Sequence, residues 1–387
     1  MRILLVSQEY PPETGWGGIG TYLGLHAPAL AAAGHEVHVL SAVRDQGQSD
    51  ESREGVAIHR RDLTRAVRGP GRIARQSWSR LELANAVRRQ VRALGPADVT
   101  EAPDWMAEAL MLRARPLVLR LHSSAAQVFP HVGRSGPDAR LAIALERAAM
   151  RRADLLIGSG VQVAAMARER RMPARVEIPY PVPLRDARAA WTAGPPRIVF
   201  AGRFEARKGP DLLVEALPGV LEQAPEAMLV LVGRDTTTSD GRSVLEALLR
   251  RARGLGVVDA IEVVERWGSD AVEEALEGAA VCAAPSRWES FGYVAAEALA
   301  GGTPTVVSGW PSLAEIVGAG AGGTIVTEER GRAWSEALGA AITDPAAARS
   351  VAEEGRSLLQ RLASPAVVAE RTVAVYELAA SEAQRHR

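Results

Sequence analysis

The chain has 387 residues, more than the roughly 100–200 residues of a typical domain, so two domains are expected. Its 46 basic residues balance its 46 acidic ones, which argues against a nucleic-acid-binding protein. The one cysteine, Cys282, has no partner for an internal disulfide, as is typical of a reducing compartment.

The first half of the chain alternates short apolar runs with longer amphipathic stretches. Strands are predicted at residues 2–7, 36–40, 56–59, 98–101, 117–121 and 154–158, and helices at 19–33 and 78–94. The alternation favours a parallel sheet covered by helices on both faces. No run approaches the ~20 apolar residues of a spanning helix, and the first run lacks a cleavage site, so we expect neither a membrane span nor a signal peptide.

A proline-rich segment at residues 179–183 predicts a linker. A second series of strands is predicted at residues 197–201, 227–232, 261–264, 280–284, 305–308 and 324–326, followed by a long final helix. The predicted fold class is α/β, with two Rossmann-like parallel-sheet domains, 1–180 and 181–364, facing each other across a cleft, and a helix at 365–387. Ligands of such sheets bind beyond the carboxyl ends of the strands.

A glycine-rich loop, Gly15-Trp16-Gly17-Gly18-Ile19-Gly20, joins the first strand to the first helix. Backbone amides at a helix N-terminus can bind a phosphate, although the same glycines also suit a flexible turn. The spacing does not give G-x-G-x-x-G, which argues against a dehydrogenase.

A basic segment follows the first strand of the second series and includes Arg203 and Lys208. Lys208 is the only lysine among the 46 basic residues, so this position favours a compact ammonium group. Two cations in a strand-to-helix loop can neutralise a pyrophosphate, and the alternative is a pair of solvated surface charges.

Two glutamates, Glu289 and Glu297, flank the start of a small apolar helix within residues 285–299. A carboxylate in such a helix needs partners, because an unpaired buried charge is costly. A ribose diol would supply two hydroxyl donors to Glu297, and an internal arginine is the alternative partner. The helix start at Ser290, Phe291 and Gly292 offers free amides to a phosphate.

Together these segments resemble the retaining glycosyltransferases of the GT-B fold, particularly family four (glycosyl transferases group 1). The similar features are the Gly-Gly loop, G-R-x-x-x-x-K-G at residues 202–209, E-x(7)-E from Glu289 to Glu297, Ala300-Gly301-Gly302-Thr303-Pro304 and Glu315-Ile316-Val317. The chain departs from many relatives at Ser308-Gly309-Trp310-Pro311, where they have a Gly-Gly pair.

The resemblance implies a role for each matching residue. Gly17 and Gly18 would contact the distal phosphate, and Arg203 and Lys208 the pyrophosphate. Glu297 would hold the ribose. Arg266 lies at the strand end where the backbone in this family usually contacts the nucleobase. The catalytic set would be Glu289 at the transferred sugar, His122, Arg203 and Lys208, although His122 also fits a half-buried structural histidine. The acceptor-side residues would be Trp16, Glu101, Trp105 and His122.

The reaction that the resemblance implies is transfer of a hexose-type sugar from a nucleoside diphosphate sugar, preferably a UDP-sugar, to a hydroxyl acceptor with retention. No residue is a firm nucleophile for double displacement, so we favour front-face substitution. No cofactor or metal is expected, because two cations neutralise the leaving group. The alternatives are a non-catalytic sugar-nucleotide-binding pseudo-enzyme and a nucleotide-sugar epimerase. The last helix would return to the N-terminal domain.

The segment at residues 60–92 holds ten arginines against Asp62 and Glu82. Such a surface is either simply solvated or a contact for an anionic membrane or an acidic acceptor. The expected location is therefore cytoplasmic, with peripheral contact to the inner membrane face as the sharper hypothesis.

Overall fold

A computed structural model of the protein describes residues 1–14, 17–43, 47–63, 74–166, 169, 171–188, 191, 194–238, 240–266 and 268–385. The chain divides into two compact units. Unit 1 comprises Met1–Pro181 and Ala363–Arg387, and unit 2 comprises Val182–Leu362.

Unit 1 begins with alternating strands and helices. Its strands are β1 (Arg2–Val6), β2 (Glu36–Ala42), β3 (Ser49–Arg53), β4 (Val56–Arg61), β5 (Val99–Pro103), β6 (Leu117–Arg120), β7 (Leu155–Gly158) and β8 (Ala174–Glu177). Its first helices are α1 (Gly18–Ala32), α2 (Arg75–Leu94), α3 (Ala125–Val128), α4 (Pro137–Arg152) and α5 (Gly160–Ala165).

Unit 2 repeats the alternation. Its strands are β9 (Arg197–Arg203), β10 (Met228–Arg234), β11 (Ile261–Val264), β12 (Val281–Ala284), β13 (Thr305–Ser308) and β14 (Thr324–Val326). Its helices are α6 (Pro210–Gln223), α7 (Val244–Leu255), α8 (Ser269–Leu276), α9 (Tyr293–Ala300), α10 (Pro311–Ile316), α11 (Gly331–Thr343) and α12 (Pro345–Ala363). The final helix, α13 (Pro365–Arg385), belongs to unit 1 and packs against α1.

The sheet of unit 1 has the order β3-β4-β2-β1-β5-β6-β7-β8. Its pairs are parallel except for β3 with β4. The chain leaves β1 toward β2 on one side and later returns to β5 on the other, so the strand order reverses between β1 and β5. That reversal opens a crevice at the carboxyl ends of these two strands.

The sheet of unit 2 has the order β11-β10-β9-β12-β13-β14, and its pairs are all parallel. Its order reverses between β9 and β12. The interior is formed by apolar strand residues such as Val199 and Val230, with Trp334 of α11 fully buried against α6.

The predicted strands are confirmed, since each apolar run forms a strand close to its predicted bounds. Two strands were not predicted. β3 has the sequence Ser-Asp-Glu-Ser-Arg and lies almost fully exposed at one edge of the sheet, so it has no apolar pattern. β8 lies at the other edge and is only four residues long. None of the helices within the described ranges is both long and apolar enough to cross a membrane.

Candidate active site

The crevice of unit 2 lies at the carboxyl ends of β9 and β12, which are neighbours in the sheet. Arg203 ends β9, Lys208 lies in the loop that follows it, and the loop after β12 carries Glu289. Parallel strands end at the same edge of a sheet, so the two basic residues and the glutamate meet there.

Gly209 sets how closely the two loops approach. Its φ is +72°, in the left-handed region, and a Cβ atom at this position would lie 2.2 Å from the carbonyl oxygen of Pro285. Only glycine fits this contact, which holds the end of the β9 loop against the start of the β12 loop. The short 3₁₀ turn Ala206–Lys208 therefore lies beside Glu289.

Lys208 and Glu289 form an ion pair in which the ammonium Nζ donates to Oε2. Their side chains are only 19% and 10% exposed. Oε1 of Glu289 accepts the amide N–H of Ser290 at 3.1 Å. Burial acts to raise the pKa of Glu289, but Lys208 and Arg207 outweigh it, so the pKa is lowered and the carboxylate is ionised.

The backbone of Glu289 is held by the segment that departs from the family pattern. Its carbonyl oxygen accepts the indole N–H of Trp310 at 2.8 Å and the hydroxyl of Ser312 at 3.0 Å. Trp310 and Ser312 were not predicted as site residues. The departure from the family pattern at residues 308–311 was the signal for Trp310, although it did not reveal the contact with Glu289, and Ser312 had no signal in the sequence.

Arg203 ends β9, and its side chain is 55% exposed while its Nη2 pairs with Glu205 Oε1 at 3.1 Å. The guanidinium of Arg207 also donates to Glu205, and to the carbonyl oxygen of Trp288. Arg207 therefore links the loop after β9 to the loop after β12 by hydrogen bonds. Arg203 is more exposed, so its guanidinium is the more accessible of the two to an anion from solvent.

Glu297 lies on α9 and is half-buried. Within the described part of the chain its carboxylate has no hydrogen-bond partner, and its pKa is raised to about 7, by burial first and then by Glu273, against the opposing charges of Arg185 and Arg188. The alternative of an internal arginine partner does not hold for Arg188. Its guanidinium binds Glu273 at 2.8 and 3.1 Å and reaches only the backbone of α9.

Gly292 precedes α9 with φ +110°, and a Cβ there would lie 2.4 Å from Leu313 Cδ2. Phe291 is buried and its ring contacts that of Tyr293. Ser290, Phe291 and Gly292 lie directly before α9, but the amide of Ser290, which was expected to be free, donates to Glu289 Oε1.

Arg266 does not join this group. It follows β11, the edge strand that β10 separates from β9, and it is exposed and paired with Glu274 at 2.9 Å. The neighbouring Trp267 lies outside the described residues.

In unit 1, the N-terminus of α1 is already occupied by a carboxylate. The amide of Gly20 donates to Glu9 Oε2 at 3.2 Å, and a Cβ at Gly17 would lie 2.9 Å from the same oxygen. Gly17 and Gly18 thus open α1 as predicted, but Glu9 holds the position at which a phosphate was expected. Trp16 lies outside the described residues.

His122 is buried, with its ring against those of Tyr22 and Tyr180 at centroid distances of 5.0 and 5.3 Å. Its amide donates to Asp104 Oδ1 at 2.9 Å. Burial, and then the charge of Arg120, hold the pKa of His122 well below its ordinary value, so the imidazole is neutral at pH 7.

Glu101 lies in the interior of unit 1, where its two carboxylate oxygens accept hydroxyl hydrogen bonds from Tyr22 at 2.8 Å and from Tyr376 of α13 at 2.7 Å. These contacts do not support the predicted acceptor-side role of Glu101. Trp105 is half-buried, and the guanidinium of Arg80 lies 5.6 Å from its ring centroid.

Some of the arginines in the segment at residues 60–92 are buried and do not lie on the surface. Arg60 is fully buried and pairs with Glu13 and Glu51, and Arg80 is buried against Glu146. Residues 64–73, which hold three more of its arginines, lie outside the described residues.

Comparison with known proteins identifies the two halves separately. Residues 17–181 match the family "Glycosyl transferase 4-like domain", and residues 185–358 match "Glycosyl transferases group 1". The chain is similar to the glycogen synthase of Mycobacterium tuberculosis (strain CDC 1551 / Oshkosh), with 31% identity over 416 residues covering 100% of this chain and 96% of that protein.

Two solved structures share the fold. The sucrose-phosphate synthase of Thermosynechococcus elongatus has 24% identity and a TM-score of 0.78, covering 97% of this chain and 98% of that one. HepE of Anabaena, in complex with UDP and glucose, has 18% identity and a TM-score of 0.72, covering 97% and 99%. The chain belongs to the glycosyl transferases group 1 family: it is a glycosyltransferase of the GT-B, family four type.

Proposed function

We propose that this glycosyltransferase moves a hexose-type sugar from a nucleoside diphosphate sugar, with UDP as the preferred nucleotide, to a hydroxyl acceptor. The transfer proceeds with retention and needs no metal. The observation that carries the proposal is the pairing of Lys208 with Glu289 beside Arg203, at the carboxyl ends of β9 and β12.

The two cations suit a pyrophosphate. When the bond between the anomeric carbon and the phosphate oxygen breaks, negative charge grows on the leaving diphosphate. Lys208 and Arg203 would neutralise that charge, which is the role that a divalent cation plays in other transferases. Lys208 is paired with Glu289, so a bound diphosphate would share the ammonium with that carboxylate.

Glu297 suits the ribose. Its carboxylate has no hydrogen-bond partner among the described residues, and two adjacent hydroxyls would satisfy it. Such contacts are strongest with the ionised form, since ionised carboxylates accept shorter and stronger hydrogen bonds.

Front-face substitution fits the state of Glu289. Both of its oxygens are engaged, by Lys208 and by the amide of Ser290, which makes it a poor covalent nucleophile. In the front-face reaction the acceptor oxygen bonds to the anomeric carbon on the side from which the diphosphate departs. The acceptor proton passes to the leaving phosphate oxygen, so the configuration is retained without a covalent intermediate.

The preference for UDP is supported by the HepE structure, which contains UDP and glucose and shares the fold. A screen of UDP, GDP, ADP and their sugars in the presence of EDTA tests it by calorimetry, on the wild type and on Lys208→Ala. We expect one nucleotide to bind selectively and Lys208→Ala to weaken its affinity by about 10- to 100-fold, the value of a lost hydrogen bond to a charged group. Arg332→Ala, an exposed site on α11, is the control and should bind normally.

Products of the transfer would then be analysed by NMR for the configuration at the anomeric carbon. An inverted product would refute front-face substitution. Binding that requires added metal would refute metal independence, and donor turnover without an acceptor would point to the epimerase alternative.

Location at the cytoplasmic face of an anionic membrane is the second part of the proposal. It is supported by α2, where the exposed side chains include Arg75, Trp78, Arg89 and Arg92. Basic residues near an aromatic side chain suit a peripheral membrane contact. Sedimentation with anionic vesicles tests this, and binding that is insensitive to salt or absent would remove it.

A further inference from the structure

Unit 1 contains a cavity of about 370 Å³ at the amino ends of β5 and β6, at the edge of the sheet opposite to the crevice between β1 and β5. Its walls come from the end of α2, from the turn at residues 95–97 that leads into β5, and from residues 112–115, which lead into β6. Substrates of α/β sheets bind at the carboxyl ends of the strands, so this cavity lies apart from the reaction described above. Its volume is that of a site for a small molecule.

The cavity carries positive charge that the protein does not neutralise. Its described lining residues include four arginines and no acid. Arg88 and Arg92 lie on α2, and Arg113 lies in the loop before β6. None of these three forms an ion pair with another residue in the described part of the chain. The fourth, Arg115, is paired with Asp154.

The positions of the three unpaired arginines are unfavourable for the protein by itself. Arg88 and Arg92 are one turn apart on α2, where two like charges repel each other. The polar partner of Arg88 is neutral, since its Nη2 donates to the side-chain oxygen of Asn85 at 2.8 Å. The helix dipole favours a cation at Arg92, in the last turn of α2, but this does not account for Arg113. A bound anion would relieve the repulsion among all three.

The walls of the cavity are fixed by two other arginines, which do have partners. Arg2 donates to the carbonyl oxygens of Leu94, at 2.9 Å, and of Pro96. Arg152 donates to the carbonyl oxygen of Leu112 at 3.2 Å. These bonds hold the turn before β5 and the loop before β6 in place, so a ligand would not have to order them, which reduces the entropic cost of binding.

The remainder of the lining is largely apolar and includes Val91, Pro96, Leu112 and Ala114. Apolar walls lower the local dielectric constant and so strengthen the attraction between a guanidinium and an anion. The planar guanidinium matches the oxygens of a phosphate, and a phosphate ester with two negative charges suits three cations better than a carboxylate with one. The apolar walls would contact the organic part of such an ester.

We propose that this cavity is a second binding site, which takes a small soluble organic phosphate. The phosphate lies among the guanidinium groups of Arg88, Arg92 and Arg113, and the organic part lies against Val91 and Leu112. The site goes beyond the proposed function, because it involves neither the sugar donor nor the acceptor and no bond is made or broken there.

The test is calorimetry of the full chain with phenyl phosphate, which carries a phosphate on an apolar ring. Inorganic phosphate and phenol, the two halves of this molecule, are the matched probes. We expect phenyl phosphate to bind with a Kd of about 1 mM or lower, and about tenfold or more tighter than either half. Added salt should weaken the binding, because the arginines are partly exposed to solvent.

Variants locate the binding. Arg92→Gln combined with Arg113→Gln should weaken the affinity for phenyl phosphate by about tenfold or more, since hydrogen bonds to a charged group are lost. Both side chains are exposed, so this variant should keep the wild-type Tm. Arg89→Gln combined with Arg140→Gln removes the same charge at exposed positions outside the lining and should keep the affinity. Arg203→Ala should also keep it, because that residue belongs to unit 2.

Absence of saturable binding overturns the inference, as does an equal loss of affinity in the control pair or a loss in Arg203→Ala. Inorganic phosphate that binds as tightly as phenyl phosphate would overturn the role of the apolar walls. A lipid headgroup carries the same phosphate, so phosphatidylglycerol vesicles are added at an equal phosphate concentration. We expect no displacement of phenyl phosphate, and displacement would overturn the assignment of a soluble ligand. Failure of the proposed function is distinct, because it is measured with nucleotides and nucleotide sugars.

Discussion

Replacing Lys208 by alanine should destabilise unit 2 even without a donor. The ion pair with Glu289 is nearly buried, at 19% and 10% exposure, and Glu289 has no second cation as a direct hydrogen-bond donor among the described residues. Breaking a buried pair by removing one partner costs about 3–5 kcal/mol, and the residual exposure here favours the lower end, about 3 kcal/mol. In a unit of this size that corresponds to a fall in Tm of roughly 6–12 °C.

The loss of the ion pair should also change how the stability of the protein depends on pH. The pKa of Glu289 is lowered in the folded chain, so its contribution to stability is present above the unfolded pKa of about 4.5 and is lost as the pH falls through the folded value. The wild type should therefore lose more stability between pH 7 and the acid range below 4.5 than Lys208→Ala does.

The assay is thermal unfolding without nucleotide, followed by circular dichroism, for Lys208→Ala, Glu289→Gln and the double variant. The double variant should be more stable than the sum of the single losses predicts, because it leaves no unpaired charge. Arg332→Ala, whose i,i+4 pair is largely exposed, should change Tm little. A Lys208→Ala chain that melts within about 1 °C of the wild type, with additive single changes, would refute the pairing that the donor-site argument uses.

Three other changes follow from individual contacts. Glu297 has a pKa of about 7, so nucleotide affinity should increase from pH 6 to pH 8, and calorimetry on Glu297→Gln should find a weaker affinity without that increase. Gly209→Ala should lower stability by roughly 3 kcal/mol in urea unfolding, since it adds backbone strain and a Cβ contact with Pro285; an unchanged midpoint would contradict the geometry. Tyr376→Phe should cost about 1–3 kcal/mol by leaving an oxygen of Glu101 unpaired, and a cost below 0.5 kcal/mol in the same assay would exclude that hydrogen bond.

The sequence predicted what is periodic or local. Apolar runs such as residues 228–232 of β10 identify their strands, because a strand buried on both faces is apolar along most of its length. The polar edge strand β3 has no such pattern and was missed. The sequence placed Arg203, Lys208 and Glu289 at or near strand ends, and the structure shows that the two strands, β9 and β12, are neighbours.

Contacts between distant parts of the chain could not be predicted. Glu101 ends up between Tyr22 and Tyr376, 79 and 275 residues away, so its position at the end of a predicted strand suggested a ligand role that the contacts do not support. The turn at Met106 and Ala107 was not predicted either, because nothing in these two residue types indicates a left-handed backbone.

The placement of α13 constrains the order in which the protein can fold during synthesis. Unit 2 is contiguous, so all of its strands and helices emerge from the ribosome before α13. Unit 1 is not, because its core receives Tyr376 from α13, which emerges after unit 2. Until α13 emerges, the face of α1 against which it packs is uncovered, and Glu101 lacks the hydrogen bond from Tyr376. Unit 1 therefore begins to emerge before unit 2 but is completed after it, and in the interval its exposed apolar surface is open to aggregation.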